Sequence, residues 1–261
     1  MGKRKKTKRG RKSGSAKKRR SFLKAVTATK ARKLMLLAAL LLSGWCLYVY
    51  LSLPSGAEYL RSNPSLTPIM IERQDAARAE GRSYSIKYSW VDFREIPKSL
   101  TRAVLVAEDI AFFGHDGFDY NEVEAVFKEM VTELSFPRGA STITQQTAKN
   151  LYLSLSRDPF RKIKEAILTK RLEKNLSKTR ILELYLNIIE LGPGIFGVEE
   201  ASRHYFGRSV RSISEREAAF LAAIIPAPLT TFSPVKAPSR VRKRQELIIK
   251  RMPRALLPKG F

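Results

Sequence analysis

Residues 158–192, DPFRKIKEAILTKRLEKNLSKTRILELYLNIIELG, decide the fold of this 261-residue chain. Asp158 followed by Pro159 puts a capping side chain and then a proline at a helix start, and FRKIKEAILTKRLEKNL continues at helical spacing. Ser177 opens a second helix, KTRILELYLNIIEL, which stops at Gly192-Pro193-Gly194. Tyr185, Leu186 and Ile189 fall on its core face. Helix continues outward on both sides. Ser141 or Thr142 caps ITQQTAKNLYL, and Pro97-Lys98-Ser99 precedes LTRAVLVAEDIAFF, with Leu100, Val104 and Ala107 on one face. Toward the C-terminus, Ser214 with Glu217 forms a capping-box start for REAAFLAAII, ended by Pro226 and Pro228. Ile69 to Gly81 also has helical spacing, whereas Tyr84, Ile86, Tyr88 and Trp90 alternate with polar residues as in a short strand or extended arm. There is no internal repeat and no run of strands, so the expected class is mainly α.

The N-terminal part has a different composition. Residues 1–33 carry sixteen Lys or Arg and no acid, and a stretch so charged is expected to be disordered in isolation. Leu34 to Leu53 is a charge-free apolar run of twenty residues, about 30 Å as a helix and enough to span a bilayer. Basic flanks are retained in the cytoplasm, and Trp45, Tyr48 and Tyr50 suit the far interface, so the rest of the chain is expected outside. A cleaved signal peptide fits less well, because the run is longer than an ordinary signal core and no small-residue cleavage site follows promptly. The expected organisation is a basic cytoplasmic tail over 1–33, a membrane helix over 34–53, a Pro/Ser/Gly-rich linker over 54–66 and an outer domain over 67–261.

The single cysteine, Cys46, excludes an intramolecular disulfide framework and reads as a small buried residue of the span. His115 and His204 are far apart and neither has a ligand-like partner one turn on, so no metal cluster is evident. Outside the tail the chain holds 33 Lys and Arg against 24 acids, a balance that suits anionic headgroups or a phosphate-bearing substrate. Nucleic acid is not expected as a partner, because the basic tail is fused to a membrane span and the outer part has no nucleic-acid motif.

Two carboxylates could do chemistry. Glu108, beside Asp109, ends an apolar helix against Phe112, Phe113 and Phe118, surroundings that resist ionisation and raise a carboxyl group's proton affinity. Glu165 lies four residues after Arg161 on one helical face, a spacing that most often gives a surface ion pair. Single residues leave both readings open.

The longer stretches narrow them. AEDIAFFGHDGFD from Ala107, RGASTITQQTAKNLYL from Arg138, RKIKEAILTKRLEKNLSKTRILELYLNIIELGPGIFGVEEAS from Arg161 and REAAFLAAIIPAP from Arg216 occur in this order. Together they resemble glycosyltransferase family 51, the peptidoglycan glycosyltransferases, over residues 60–255. From Thr67 onward the chain is similar to the monofunctional transglycosylases of Gram-negative bacteria. Ala140 departs from the family, which usually has glycine there.

The resemblance implies a lysozyme-like, two-lobed glycosyltransferase domain preceded by one transmembrane helix. It implies that Glu108 deprotonates the 4-hydroxyl of lipid II, which attacks the anomeric carbon of a lipid-linked glycan chain with inversion and release of undecaprenyl pyrophosphate. Glu165 matches a second glutamate that assists the leaving group by holding basic groups or a divalent ion. Lys149, Arg157 and Arg161 match the basic residues around the pyrophosphate, and Thr142 and Gln146 match substrate contacts. Gln145, on the face of Lys149, is either part of that set or simply solvent-facing. Asp109, His115 and Asn150 support the motifs, His115 by bracing its loop, and Asn187 and Glu183 are structural. A divalent cation, Mg or Mn, is the expected cofactor, with no organic one. Expected partners are lipid II, the lipid-linked glycan chain, the inner membrane and other cell-wall synthesis proteins.

Two other readings belong to different classes. A lytic enzyme on the same polymer needs a site for water and no cations for a pyrophosphate, which the matched cations argue against. An inactive scaffold needs neither glutamate nor Lys149, and all three are present. Ser-x-x-Lys occurs at Ser15, Ser21 and Ser233, but two lie in the tail, Lys-Thr-Gly is lacking and 28 residues follow Ser233, so no transpeptidase is expected.

Overall fold

The computed structural model describes residues 13–120, 141–155 and 158–258. They form two units, the first ending at Leu53 and the second beginning at Pro54. The first unit is one helix, α1 (Ser13–Ser52), and from Arg32 onward it is long and apolar enough to cross a membrane, with a mean hydropathy of 2.1. Its basic part from Ser13 to Lys33, expected to be disordered, is helical. Ala, Leu, Lys and Arg are good helix formers, and elongating an existing helix costs far less than nucleating one. Residues 1–12 of the tail lie outside the described residues. Cys46 lies on the outer surface of this apolar helix, within the stretch able to cross a membrane.

The second unit begins with a segment that is docked where a free linker was expected. Arg171 Nη1 donates to the Pro54 carbonyl at 3.0 Å, Asn175 Nδ2 to that of Ser55 at 2.7 Å, and Arg180 to those of Tyr59 and Ser62 at 2.9 and 2.6 Å. Pro, Ser and Gly here mark turns of a bound segment. Helix α2 (Pro68–Ala79) follows, with Thr67 capping it. The alternating arm contributes only a two-residue strand, β1 (Lys87–Tyr88), parallel to β3 (Ile195–Phe196), which pairs antiparallel with β2 (Glu190–Gly192). Asn187 pins this arm by accepting from Val91 N at 2.8 Å and donating to Val91 O at 2.9 Å, while Glu183 accepts from Phe93 N.

The other helices are α3 (Lys98–Glu108), α4 (Ile143–Tyr152), α5 (Arg161–Asn175), α6 (Lys178–Ile188), α7 (Val198–Phe206), α8 (Glu215–Ile224) and α9 (Pro238–Arg251). Thr142, Ser177 and Ser214 cap α4, α6 and α8 as the sequence predicts. Asp158 does not cap α5 directly. Its carboxylate accepts from Phe160 N and Lys164 Nζ in the turn before the helix, which starts at Arg161. Helix α6 is shorter than expected, because the chain leaves it at Ile189 to enter β2.

Packing sorts these helices into two clusters. Helix α4 lies against α5 and α6, burying Ile143, Leu151, Leu168, Leu172, Ile181 and Leu184, and α8 lies between α3 and α9, burying Leu100, Val104, Leu221 and Ile248. Each such side chain contributes about 1.5–3 kcal/mol by leaving water. The clusters meet at the C-terminal end of α3, which fixes where a site can be built.

Candidate active site

Helix α3 ends at Glu108 because Asp109 leaves helical geometry, its N–H still bonded to the Leu105 carbonyl. The Asp109 carboxylate then ties the following loop to the start of α4. It accepts from Ile143 N at 2.9 Å and from His115 Nε2 at 3.0 Å, a negative group at a helix N-terminus. His115 Nδ1 accepts from Gly117 N at 3.1 Å, so the ring proton sits on Nε2, facing Asp109. Gly117 has φ +89, and a Cβ on it would lie 2.7 Å from Thr169 Cγ2, so both the turn and its approach to α5 require glycine. Thr142 closes the frame: its hydroxyl donates to Gly117 O at 2.7 Å and accepts from Gln145 N. Gln145 is buried, its Oε1 accepting from Thr142 N in the capping box, which sets aside the solvent-facing alternative.

Inside this frame Glu108 is 9% exposed by side chain. Gln146 Nε2 donates to its Oε2 at 2.9 Å, and Arg244 Nη2, from α9, donates to its Oε1 at 3.0 Å. The Tyr185 hydroxyl, 3.1 Å from Gln146 Oε1, orients that amide. Burial raises the Glu108 pKa above the ordinary carboxylate value, opposed by the Gln146 hydrogen bond and the charges of Arg244 and Lys149. Tyr185 is held protonated, first by burial and then by Glu108 and Asp109.

Lys149 follows one turn after Gln145 on α4. Its pKa is lowered, chiefly by burial and further by Arg161 and Lys162, against the opposing pull of Glu165 and Glu108. The ammonium therefore lies in the field of both acids. Glu165 is buried on α5, and its ion pair is with Lys162, three residues before it, where the sequence pointed to Arg161. Arg161 instead adds positive charge near Lys149. Asn150 Nδ2 donates back to the Gln146 carbonyl at 2.8 Å, steadying the turn that carries Gln146.

The structure thus brings together Glu108, Gln146, Lys149, Arg161 and Glu165, with Asp109, His115, Thr142 and Asn150 as their frame. Arg157, and Arg138 to Ala140, lie outside the described residues. Sequence reasoning missed Arg244, placed in the basic stretch Arg240 to Arg244 and read as a lipid contact or solvated face, and Tyr185, read as core alone. Among the described residues no group of three or more His, Cys, Asp or Glu could hold a metal ion. A protein-built cage does not fit, and a divalent ion here would need substrate phosphates for most of its oxygen ligands.

A helical domain that sets two enclosed carboxylates in the field of one lysine, with further cations on the adjoining helix, defines a candidate group-transfer enzyme for a phosphate-bearing substrate. The transglycosylase family profile matches residues 75–253, and the chain belongs to that family, whose domain is the lysozyme-like all-α fold. A biosynthetic peptidoglycan transglycosylase of Nitrosomonas eutropha is 38% identical over 226 residues, 86% of this chain and 89% of that protein. The protein of the same description from Methylobacillus flagellatus is 42% identical over 170 residues, 65% of this chain and 74% of its own. That from Bdellovibrio bacteriovorus is 45% identical over 163 residues, 62% and 65% respectively.

Proposed function

We propose that this chain is a peptidoglycan glycosyltransferase that polymerises lipid II into β-1,4-linked glycan strands. The observation that carries the reading is Glu108, a buried carboxylate with raised proton affinity, fixed by Gln146 and Arg244 beside Lys149. Relatives described as biosynthetic peptidoglycan transglycosylases, 38–45% identical, supply the substrate class.

Glu108 takes the proton of the acceptor 4-hydroxyl as that oxygen bonds to the anomeric carbon of the lipid-linked chain. The bond from that carbon to the pyrophosphate oxygen breaks with inversion, and undecaprenyl pyrophosphate leaves. Lys149, Arg161 and Arg157 meet the charge that develops on it, and positive groups placed beforehand need no reorganisation during the reaction. Glu165 holds the cations of α5 in place through Lys162. Thr142 and Gln146 shape the pocket through bonds they already make within the protein, and Asp109, His115 and Asn150 keep the frame. These cations favour glycosyl transfer over hydrolysis by a lytic enzyme.

A divalent ion, Mg or Mn, would be held chiefly by the substrate's pyrophosphate oxygens and would add positive charge beside Lys149 and Arg161, so EDTA is expected to slow the reaction; an unchanged rate in EDTA removes the cation from the account. Helix α1 anchors the enzyme in the inner membrane with its basic end cytoplasmic and the catalytic domain periplasmic, in the layer that holds both lipid-linked substrates and any cell-wall synthesis partners. Full-length protein incubated with labelled lipid II and a divalent cation is expected to give polymer that lysozyme digests. Absence of polymer contradicts the proposal.

A further inference from the structure

Arg244 lies 136 residues from Glu108 in sequence, on α9, which packs against both α8 and α3. One nitrogen, Nη2, donates both to Glu108 Oε1 and to the carbonyl of Ala107, each at 3.0 Å. Its guanidinium carbon stands 5.2 Å from the centre of the Phe232 ring, a cation–π distance. The side chain is 27% exposed, so water screens the pair only in part. Binding the backbone of residue 107 and the carboxylate of residue 108 together fixes the carboxylate relative to the end of its own helix. A surface ion pair would not.

We propose that Arg244 is a positioning residue for the transfer reaction: anchored on Ala107 and Phe232, it fixes the Glu108 carboxylate and supplies the positive charge bonded directly to it. The inference rests on the proposed role of Glu108 as the base. Burial alone favours the neutral acid, which is too weak a base to take the proton of the acceptor hydroxyl. Lys149 from α4 acts in the same sense as Arg244, but it is shared with Glu165. Tyr185 from α6 is protonated and brings no charge. Asp109, next in the chain, is engaged by His115 and Ile143. Helix α8 and the turn Met252–Arg254, which also pack near α3, bring no hydrogen bond or ion pair to Glu108 among the described residues. Arg244 is therefore the cation bonded directly to the base.

The test is the pH dependence of turnover by full-length protein on labelled lipid II in vesicles, for wild type, Arg244→Lys and Arg244→Ala. Removing a positive charge from beside Glu108 raises its pKa further, so the acid limb of kcat in Arg244→Ala moves to higher pH. At neutral pH kcat falls by about tenfold or more while KM stays within about twofold. Arg244→Lys keeps the charge and returns the limb most of the way to the wild-type position. A limb that stays in place in a folded Arg244→Ala protein overturns the proposal, as does one that moves equally in the Lys and Ala variants. Should Arg244→Ala fail to fold, Arg244→Gln, which can keep the hydrogen bonds without the charge, carries the same reading through its limb. Inactive wild-type protein removes the proposed function itself; active wild type with an unmoved limb removes only this role.

Discussion

Glu165 is buried and the Glu108 side chain is nearly so, yet the regions that hold them are constructed in opposite ways. Glu165 depends on its own helix: its ion-pair partner Lys162 is three residues away and 66% exposed. Glu108 has no partner on its helix, and its donors come from α4 and α9, 38 and 136 residues away. A local pair whose cation reaches into solvent is worth little in stability, which suits a group whose task is to keep positive charge beside a departing pyrophosphate. A largely enclosed carboxylate fixed by distant helices keeps one geometry and a raised proton affinity, which suits a base. The difference in construction separates the two roles better than burial does.

The largest consequence falls on the first region. Glu108→Gln is expected to lower the rate of polymer formation by about 10³-fold, within the usual range for a general base, with no loss of melting temperature. Since burial raises the pKa of Glu108 in the folded state, its contribution to stability is full below the unfolded value and is lost as pH rises through the folded one. Urea unfolding of wild type against Glu108→Gln should therefore favour the variant progressively more as pH increases through that window. A variant less favoured at high pH would place the carboxylate in a site that prefers the charge.

Lys149→Ala should come next, slowing turnover by about 10²-fold while moving the melting temperature far less, as for loss of one preplaced charge. Equal losses of rate and stability would make Lys149 structural and erase the link between the two regions. Gly117→Ala should destabilise by about 1–3 kcal/mol in denaturant unfolding, because the turn that seats Thr142 needs a positive φ and admits no Cβ. The smallest effect is expected from Lys162→Ala, under about 1 kcal/mol of stability by the same measurement. A larger loss would mean that the Glu165 pair is as fixed as that of Glu108.

The same contrast explains what the sequence made legible. Thr142, Ser177 and Ser214 announce helix starts because a cap bonds within three residues of itself, and the apolar spacing of α3, α4 and α6 names their buried faces. Strand β1 falls in the stretch whose alternation reads as a short strand or arm, but β3 and its pairing with β1 carry no local signal, since Lys87 meets Ile195 over 100 residues away. Pro54 to Leu66 looked like a tether because its composition reports turns and not the carbonyls that Arg171, Asn175 and Arg180 bind. In the site, Glu108 and Lys149 came from the resemblance. Arg244 carried no local signal, because a basic run on a helix reads as solvated until a distant carboxylate is placed against one of its members.

The most direct test compares full-length wild type and Glu108→Gln, both shown to be folded by melting, on labelled lipid II in the same vesicles. The account predicts lysozyme-digestible polymer from the wild type and almost none from the variant. Polymer made at similar rates by both would contradict it, because the buried carboxylate at the end of α3 would then not be the base.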